Sequence, residues 1–430
     1  MRNNTIVVHI GHKKDTYNEF EFGSNNNLVV DKICALLLSL SPILQHYIGI
    51  YKNAGFTVFI LVLPILFLRL LAKMSSGKVN LGGIKWITPI FLFSFYAVFK
   101  DSFSIGNVLY RLCIVFIYFV IVVGGVNSRY IMKYAVNICK IACVFIILQF
   151  VLYSLFGYHL RLIPVNLLLE GSDMWIERVY YGISPGERYR PSGIFLEPSH
   201  FFLYSFPVMA ILLLSPKLEK DRLYTVCLIS IAMICTTSGM GVLVVVALWA
   251  VYLILYVNRK TKKLNLKQIL SLRTILLIKV GLVIVVFVYH YVPIINETIN
   301  RILINEAGQS LAIDGRVRLA NMLISKMSKK EIFFGTSVVS DSIDFNLSGF
   351  HSTLYRFGVI GIILTYWFYG RGLFVLEGGF FYMTIIILIV SFFSAHTHGT
   401  FYMFYYALFL MNGYCTRSKR SYYGGKQNEA

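Results

Sequence analysis

The run Arg188-Tyr189-Arg190-Pro191-Ser192-Gly193-Ile194-Phe195-Leu196-Glu197-Pro198-Ser199-His200-Phe201 sets two guanidinium groups, a carboxylate and an imidazole directly before an apolar stretch. Two arginines two apart, in chain that Pro191 and Gly193 keep extended, face the same way and can fork onto phosphate oxygens. Pro198 suits the first position of a helix, which makes Glu197 the cap and turns the positive helix end toward an anion. Glu197 has two readings: partly buried, its carboxylate can take a proton from an attacking hydroxyl; alternatively it caps the helix and salt-bridges Arg188 or Arg190. His200, a turn inside the apolar run, reads as a packed, hydrogen-bonded histidine or as a ligand contact. Tyr189, with Tyr180 and Tyr181 nearby, offers rings that stack on sugars, against the ordinary reading of each as a core or interface aromatic.

A second constellation is Gly349-Phe350-His351-Ser352-Thr353-Leu354-Tyr355-Arg356-Phe357-Gly358. On a helix His351 and Tyr355 share one face, and Ser352 and Arg356 the next. Arg356 lies a turn into an apolar zone, where an unpaired charge is costly, so it calls for an acid such as Asp101, the helical interior or a bound phosphate. Arg111 raises the same question, and structural pairing is an equal reading for both. The spacing also predicts a helix over 314–327, capped by Asp314, with Val317, Ala320, Ile324 and Met327 on one face and Arg316 and Arg318 projecting elsewhere. His396 and His398 alternate, but no carboxylate or Cys stands at ligand spacing, so no metal site is expected.

The elements that must position these groups follow from composition. Over 430 residues, 57% are hydrophobic and only 14% charged, with a mean hydropathy of +0.68; this describes an integral membrane protein. The formal charge of +20 reports cytoplasmic loops and not a nucleic-acid partner, since no RNA or DNA motif accompanies it. The seven Cys fall in or beside apolar runs and form neither a disulfide framework nor a metal pattern. About twelve runs are long enough to cross a bilayer, near 28–50, 55–73, 84–100, 107–127, 134–157, 198–215, 223–238, 239–257, 274–292, 352–369, 373–394 and 399–415. The short joint around Thr236-Thr237-Ser238-Gly239 leaves open a re-entrant or kinked pair there.

Residues 258–273 carry Arg259, Lys260, Lys262, Lys263, Lys267 and Arg273 without an acid, so that loop is cytoplasmic. Counting crossings outward places both termini inside and the long loops 158–197 and 293–351 outside. The expected organisation is a cytoplasmic tail 1–27 with no removable signal peptide, one transmembrane domain 28–415 including those two loops, and a cytoplasmic tail 416–430.

With these features in place, the chain resembles the Wzy family of O-antigen and capsular repeat-unit polymerases and, more broadly, the O-antigen ligase-like superfamily. Arg190 to Pro198 is similar to that family's Arg-x-Ser-x-x-Phe-x-Glu-Pro element. Thr237-Ser238-Gly239 looks like its Ser-Arg-Ser-Gly turn, with Thr237 where the Arg is expected. Asp314-Gly315-Arg316 followed by Gly335 is similar to its Gly-Arg then Gly-x-Gly stretch. His351-Ser352 with Gly358 and Gly361 looks like its His-Asn then Gly-Leu-x-Gly helix, with Ser352 in place of the Asn.

The resemblance implies an all-α, GT-C-like polytopic fold and a metal-independent, cofactor-free, inverting glycosyl transfer at the periplasmic face of a bacterial inner membrane. It implies an undecaprenyl-diphosphate-linked glycan as donor, a lipid-linked repeat unit as acceptor, and a chain-length regulator and a flippase as pathway partners. Arg190 and Arg316, then Arg188 and Arg318, are the expected grips on the leaving diphosphate, with Arg356, Tyr189 and His200 as further substrate contacts. His351 and Glu197 are rival bases. A ligase transferring glycan to lipid A core, a polytopic transporter or flippase, and a structural scaffold are the competing readings. Transporters place ionisable groups near the bilayer midplane, whereas these clusters gather at expected external helix ends.

Overall fold

The computed structural model of the chain describes residues 28–50, 53–75, 84–100, 105–122, 128–169, 189–214, 220–259, 319–336, 347–376, 378–394 and 401–410. The two tails, the expected span 274–292, and Asp101, Arg188, Asp314, Arg316, Arg318, His396 and His398 lie outside them. Among the described residues the regular elements are helices, with no strand. In chain order they are α1 (Leu28–Leu44), α2 (Ala54–Ser75), α3 (Ile84–Lys100), α4 (Ile105–Val122), α5 (Ser128–Phe156), α6 (Pro198–Leu213), α7 (Lys220–Cys235), α8 (Gly239–Arg259), α9 (Lys329–Phe334), α10 (Gly349–Val375) and α11 (Gly379–Phe393), then α12 (Phe401–Leu410). Of the helix expected over 314–327, residues 319–325 are helical; its cap and both arginines lie outside the described residues.

Helices are what lipid permits, because a backbone without water must satisfy its own N–H and C=O groups. Among the described residues, four helical stretches are long and apolar enough to cross a membrane: Ala54–Ala72, Tyr130–Phe156, Gly239–Tyr256 and Gly349–Val375. Shorter apolar helices stand at Thr88–Lys100, Arg111–Val120, Pro198–Leu213, Gly379–Phe393 and Phe401–Leu410. The chain is thus a helical membrane protein, and large apolar side chains on α2, α3, α5 and α8 face outward.

One of the four stretches is not a straight rod. Gly358 inside α10 has φ 64° and ψ −166°. Thr353 and Gly361, about 12 Å apart in an uninterrupted helix, come into side-chain contact range. Phe350 and Tyr366, about 24 Å apart if the helix were straight, have ring centroids 6.2 Å apart. α10 therefore folds back on itself, and only the limb 359–375 runs on unbroken, close to the lower limit of about 17 residues for a crossing.

α6 is the buried centre, packed against α5, α7, α8 and α11, with its residues from His200 to Ala210 all buried. Pro207 lies within it and has no N–H, which frees the carbonyl four residues earlier. Tyr406 of α12 donates its hydroxyl to that carbonyl, Leu203 O, at 3.0 Å, and Tyr402 and Tyr405 donate to His200 O at 3.0 Å and Tyr204 O at 3.1 Å. At the other end of the bundle Arg69 of α2 is paired with Asp31 of α1. The joint between α7 and α8 is a tight turn between two separate helices, with Thr237 at φ 53°. The six described cysteines are all free thiols.

Candidate functional site

The 189–197 segment lies on α5 and is pinned there by one side chain. Gln149, fully buried, accepts the backbone N–H of Ser192 at 3.2 Å and of Gly193 at 2.8 Å, and donates to Leu160 O at 3.0 Å. Gly193 has φ 64°, and a Cβ on it would sit 3.0 Å from the Ile146 side chain and 3.1 Å from Ala142 O; glycine lets the turn lie directly on the helix. Tyr189 is buried, its hydroxyl donating to Leu160 O at 3.3 Å and its ring packed on His159 and Tyr153 at 4.7 and 5.0 Å. Its ring is therefore part of the wall in this structure. Beyond the end of α5, burial and then Arg161 push the His159 imidazole below its ordinary pKa.

The segment ends where expected, with Pro198 at the first turn of α6 and Glu197 extended before it, at φ −137° and ψ 154°. The Glu197 side chain does not cap the helix; it accepts the hydroxyl of Ser199 at 2.8 Å. His200 is 2% exposed and lies flat on His46, with ring centroids 4.5 Å apart and an 11° interplanar angle. That placement matches the packed reading of His200. His46 comes from the connection between α1 and α2, which is tied to the chain after α5: Ile48 N donates to Leu167 O at 2.8 Å and Leu169 N to His46 O at 3.1 Å. Two connections distant in sequence, α1 to α2 and α5 to α6, thus meet over the start of α6.

His351 occupies the folded-back limb of α10. Ser348 caps that limb, accepting the His351 backbone N–H at 3.4 Å, and its hydroxyl lies 2.6 Å from His351 Nδ1. When Nδ1 carries the proton and donates to Ser348, Nε2 keeps its lone pair and becomes the nitrogen able to accept a proton. Phe350 stacks on Phe392 of α11 at 5.3 Å. A Cβ on Gly349 would meet Ser391 O and Ser394 O at 2.3 and 2.4 Å.

The limb's other end is locked by a second glycine. Gly335, just after α9, has φ 79°, and a Cβ there would lie 2.2 Å from Arg356 O; one on Gly358 would lie 2.4 Å from Phe333 O and 2.5 Å from Gly335 N. The break at Gly358 frees helix carbonyls, and Thr336 supplies donors: its N–H reaches Tyr355 O at 2.8 Å and its hydroxyl the same oxygen at 3.0 Å. Arg356 sets its guanidinium 5.9 Å from the Phe357 ring centroid, while Arg111 lines a cavity with Ser94, Tyr118 and Met403.

The expected residues fall into two groups. Tyr189, Arg190, Glu197 and His200 lie on the 189–200 segment, His351 and Arg356 on the α10 limb, and α6 and α10 both pack against α11. Arg188, Arg316 and Arg318 lie outside the described residues. Among the described residues, no group of three or more His, Cys, Asp or Glu is placed to hold a metal ion. Sequence reasoning missed Gln149, His46 and Ser348. Gln149 and Ser348 carried usable signals, since an uncharged amide inside a long apolar run needs hydrogen-bond partners and a serine directly before a helix is a preferred cap; His46 carried none, because its stack on His200 is a long-range contact. Compared with models of known families and with curated proteins, the chain matches neither a family model nor any curated sequence.

Proposed function

We propose that the chain is a repeat-unit polymerase of the O-antigen type, joining undecaprenyl-diphosphate-linked oligosaccharides at the periplasmic face of a bacterial inner membrane. The proposal includes a GT-C-like arrangement of about twelve crossings with both termini cytoplasmic, and motifs that resemble the Wzy family. The observation that carries it is the His351–Ser348 pair: an imidazole oriented at 2.6 Å by a helix-cap hydroxyl, on a limb whose sequence looks like that family's His-bearing helix.

In the proposed reaction the acceptor hydroxyl oxygen attacks the anomeric carbon, and the bond from that carbon to the diphosphate oxygen breaks with its electron pair leaving on the diphosphate. A single displacement inverts the anomeric centre. His351 Nε2 takes the hydroxyl proton, with Glu197 as the rival base. Arg190 and Arg356, with Arg188, Arg316 and Arg318, hold the diphosphate more tightly as its charge develops, which lowers the barrier. Tyr189 and His200 are buried and shape the wall.

Deleting the gene in a host displaying long surface glycan tests the reading: glycans of one repeat unit support a polymerase. Complete loss of attached glycan points to a ligase, and unchanged chain length removes both. In complementation, His351→Ala abolishes polymer while Glu197→Ala, inserted at normal level, retains part of it; the reverse pattern makes Glu197 the base.

A further inference from the structure

We infer that α9 is an interfacial foot: Lys326, Lys329 and Lys330 rest on the anionic phosphates of the phospholipid headgroup layer, while Phe333 and Phe334 reach into the acyl boundary beneath. The inference stands apart from the glycosyl-transfer reading. Tyr96 of α3 donates its hydroxyl to Phe334 O, and Lys100 donates to Gly335 O at 3.0 Å. Thus α9 is fastened to the last turns of an apolar helix, where Tyr96 stands one turn before the lysine that ends the apolar run, the usual signature of a membrane–water boundary.

The surface continues across that joint. On the last turns of α3, Phe95 and Phe99 are 59% and 64% exposed, and on α9 Phe333 and Phe334 are 58% and 46% exposed. Four large rings exposed around one junction are costly in water and suited to acyl chains. Beside them positive charge predominates, with Glu331 the acid among the lysines. Lys326, Lys329 and Lys330 are exposed, and Lys330 lies close enough to Lys100 for their charges to interact.

Lys329 and Lys330 occupy the first turn of α9, where the helix dipole disfavours cations. The one acid of α9, Glu331, is occupied in a capping box, accepting Ser328 N–H at 2.7 Å. A cationic rim beside exposed aromatic rings is the pattern that binds anionic bilayers, lysine stems lying along apolar surface while their ammonium groups meet phosphate.

The test uses the full chain in nanodiscs of phosphatidylcholine alone or mixed with phosphatidylglycerol. Photoreactive benzoylphenylalanine replaces Phe333 or, as a control, the exposed Ile231 of α7, and adducts are identified by mass spectrometry. At position 333 the expected adduct is phospholipid, with phosphatidylglycerol enriched several-fold over its share of the bilayer; at position 231 the two lipids are labelled in proportion to their abundance. The combined Lys326→Gln, Lys329→Gln and Lys330→Gln variant brings position 333 to the control ratio. Absence of a lipid adduct at 333, labelling of protein instead, equal enrichment at both positions, or enrichment that survives loss of the three lysines overturns the inference.

Discussion

The segment that bears Glu197 and the limb that bears His351 each lead a helix in from an extended residue, but they are held by different means. The first is fixed by buried side chains: Gln149 holds two backbone N–H groups, and His46 covers His200. The second is fixed by backbone against backbone, Gly335 against Arg356 and Gly358 against Phe333, where any side chain would collide. Side-chain fixation tolerates adjustment, because a ring or amide can shift by tenths of an ångström. Backbone interlock has no such slack, so the bend in α10 is close to all-or-none, and with it the position of His351.

The sharpest way to break this contrast is Gly358→Ala. The conformation at φ 64° and ψ −166° belongs almost entirely to glycine, and the added methyl would sit 2.4 Å from a backbone oxygen. The cost is about 3 kcal/mol or more, and Gly335→Ala behaves alike. Hydrogen exchange is expected to rise over 329–336 and 349–357 while 189–197 stays protected. Exchange unchanged in the limb would mean that the bend does not depend on the interlock.

Gln149→Leu is the counterpart in the other wall. It keeps the volume and removes the acceptor of Ser192 N–H and Gly193 N–H, with a penalty of about 1–3 kcal/mol for each group left unsatisfied, while Leu160 O keeps the Tyr189 hydroxyl. The thermal midpoint in detergent falls and exchange rises over 189–197, with the α10 limb little changed. An equal response in the limb would mean that the two walls form one cooperative unit.

How much of this was legible follows the same division. The Pro198 helix start and extended Glu197 were readable because they are local: proline at the first turn is a property of neighbouring residues. The apolar runs likewise announced helices, and those described stand close to where they were expected. The fold-back of α10 was not readable, since Gly358 in sequence is an ordinary helix glycine until Phe333 and Gly335, more than twenty residues earlier, press on it. The stack of His46 on His200 and the tyrosine hydroxyls supplied to α6 by α12 are long-range in the same way. Glu197 as a side-chain cap was a reasonable local expectation that lost to Ser199, whose hydroxyl reaches the carboxylate first.

Ser348→Ala is expected to have a smaller effect, confined to the limb's first turn. It removes the cap of the His351 backbone N–H, at about 1 kcal/mol, and releases Nδ1 from the hydroxyl 2.6 Å away. Under the proposed function, polymer length drops more than protein level, and Ser348→Thr restores it because a threonine hydroxyl can take the same place. Restoration by Ser348→Val as well would show that the hydroxyl orients nothing.

The smallest effects come from acid, and they separate the walls by window. Burial and Arg161 hold His159 below its ordinary pKa of 6.5, so the folded chain disfavours the protonated ring; that stability is present above 6.5 and is lost as pH falls through the lowered folded value. The Ser328 N–H and hydroxyl hold Glu331 below its ordinary 4.5. Its contribution is therefore present above 4.5 and lost only as pH falls through its own lower value. Acidification is expected to loosen the chain around His159 and Tyr189 first and the foot of the α10 limb second, read as hydrogen exchange at stepped pH after correction for the intrinsic rate. His159→Phe removes the first step alone and Glu331→Gln the second alone; a single step lost in both variants would make the two walls one acid-sensitive unit.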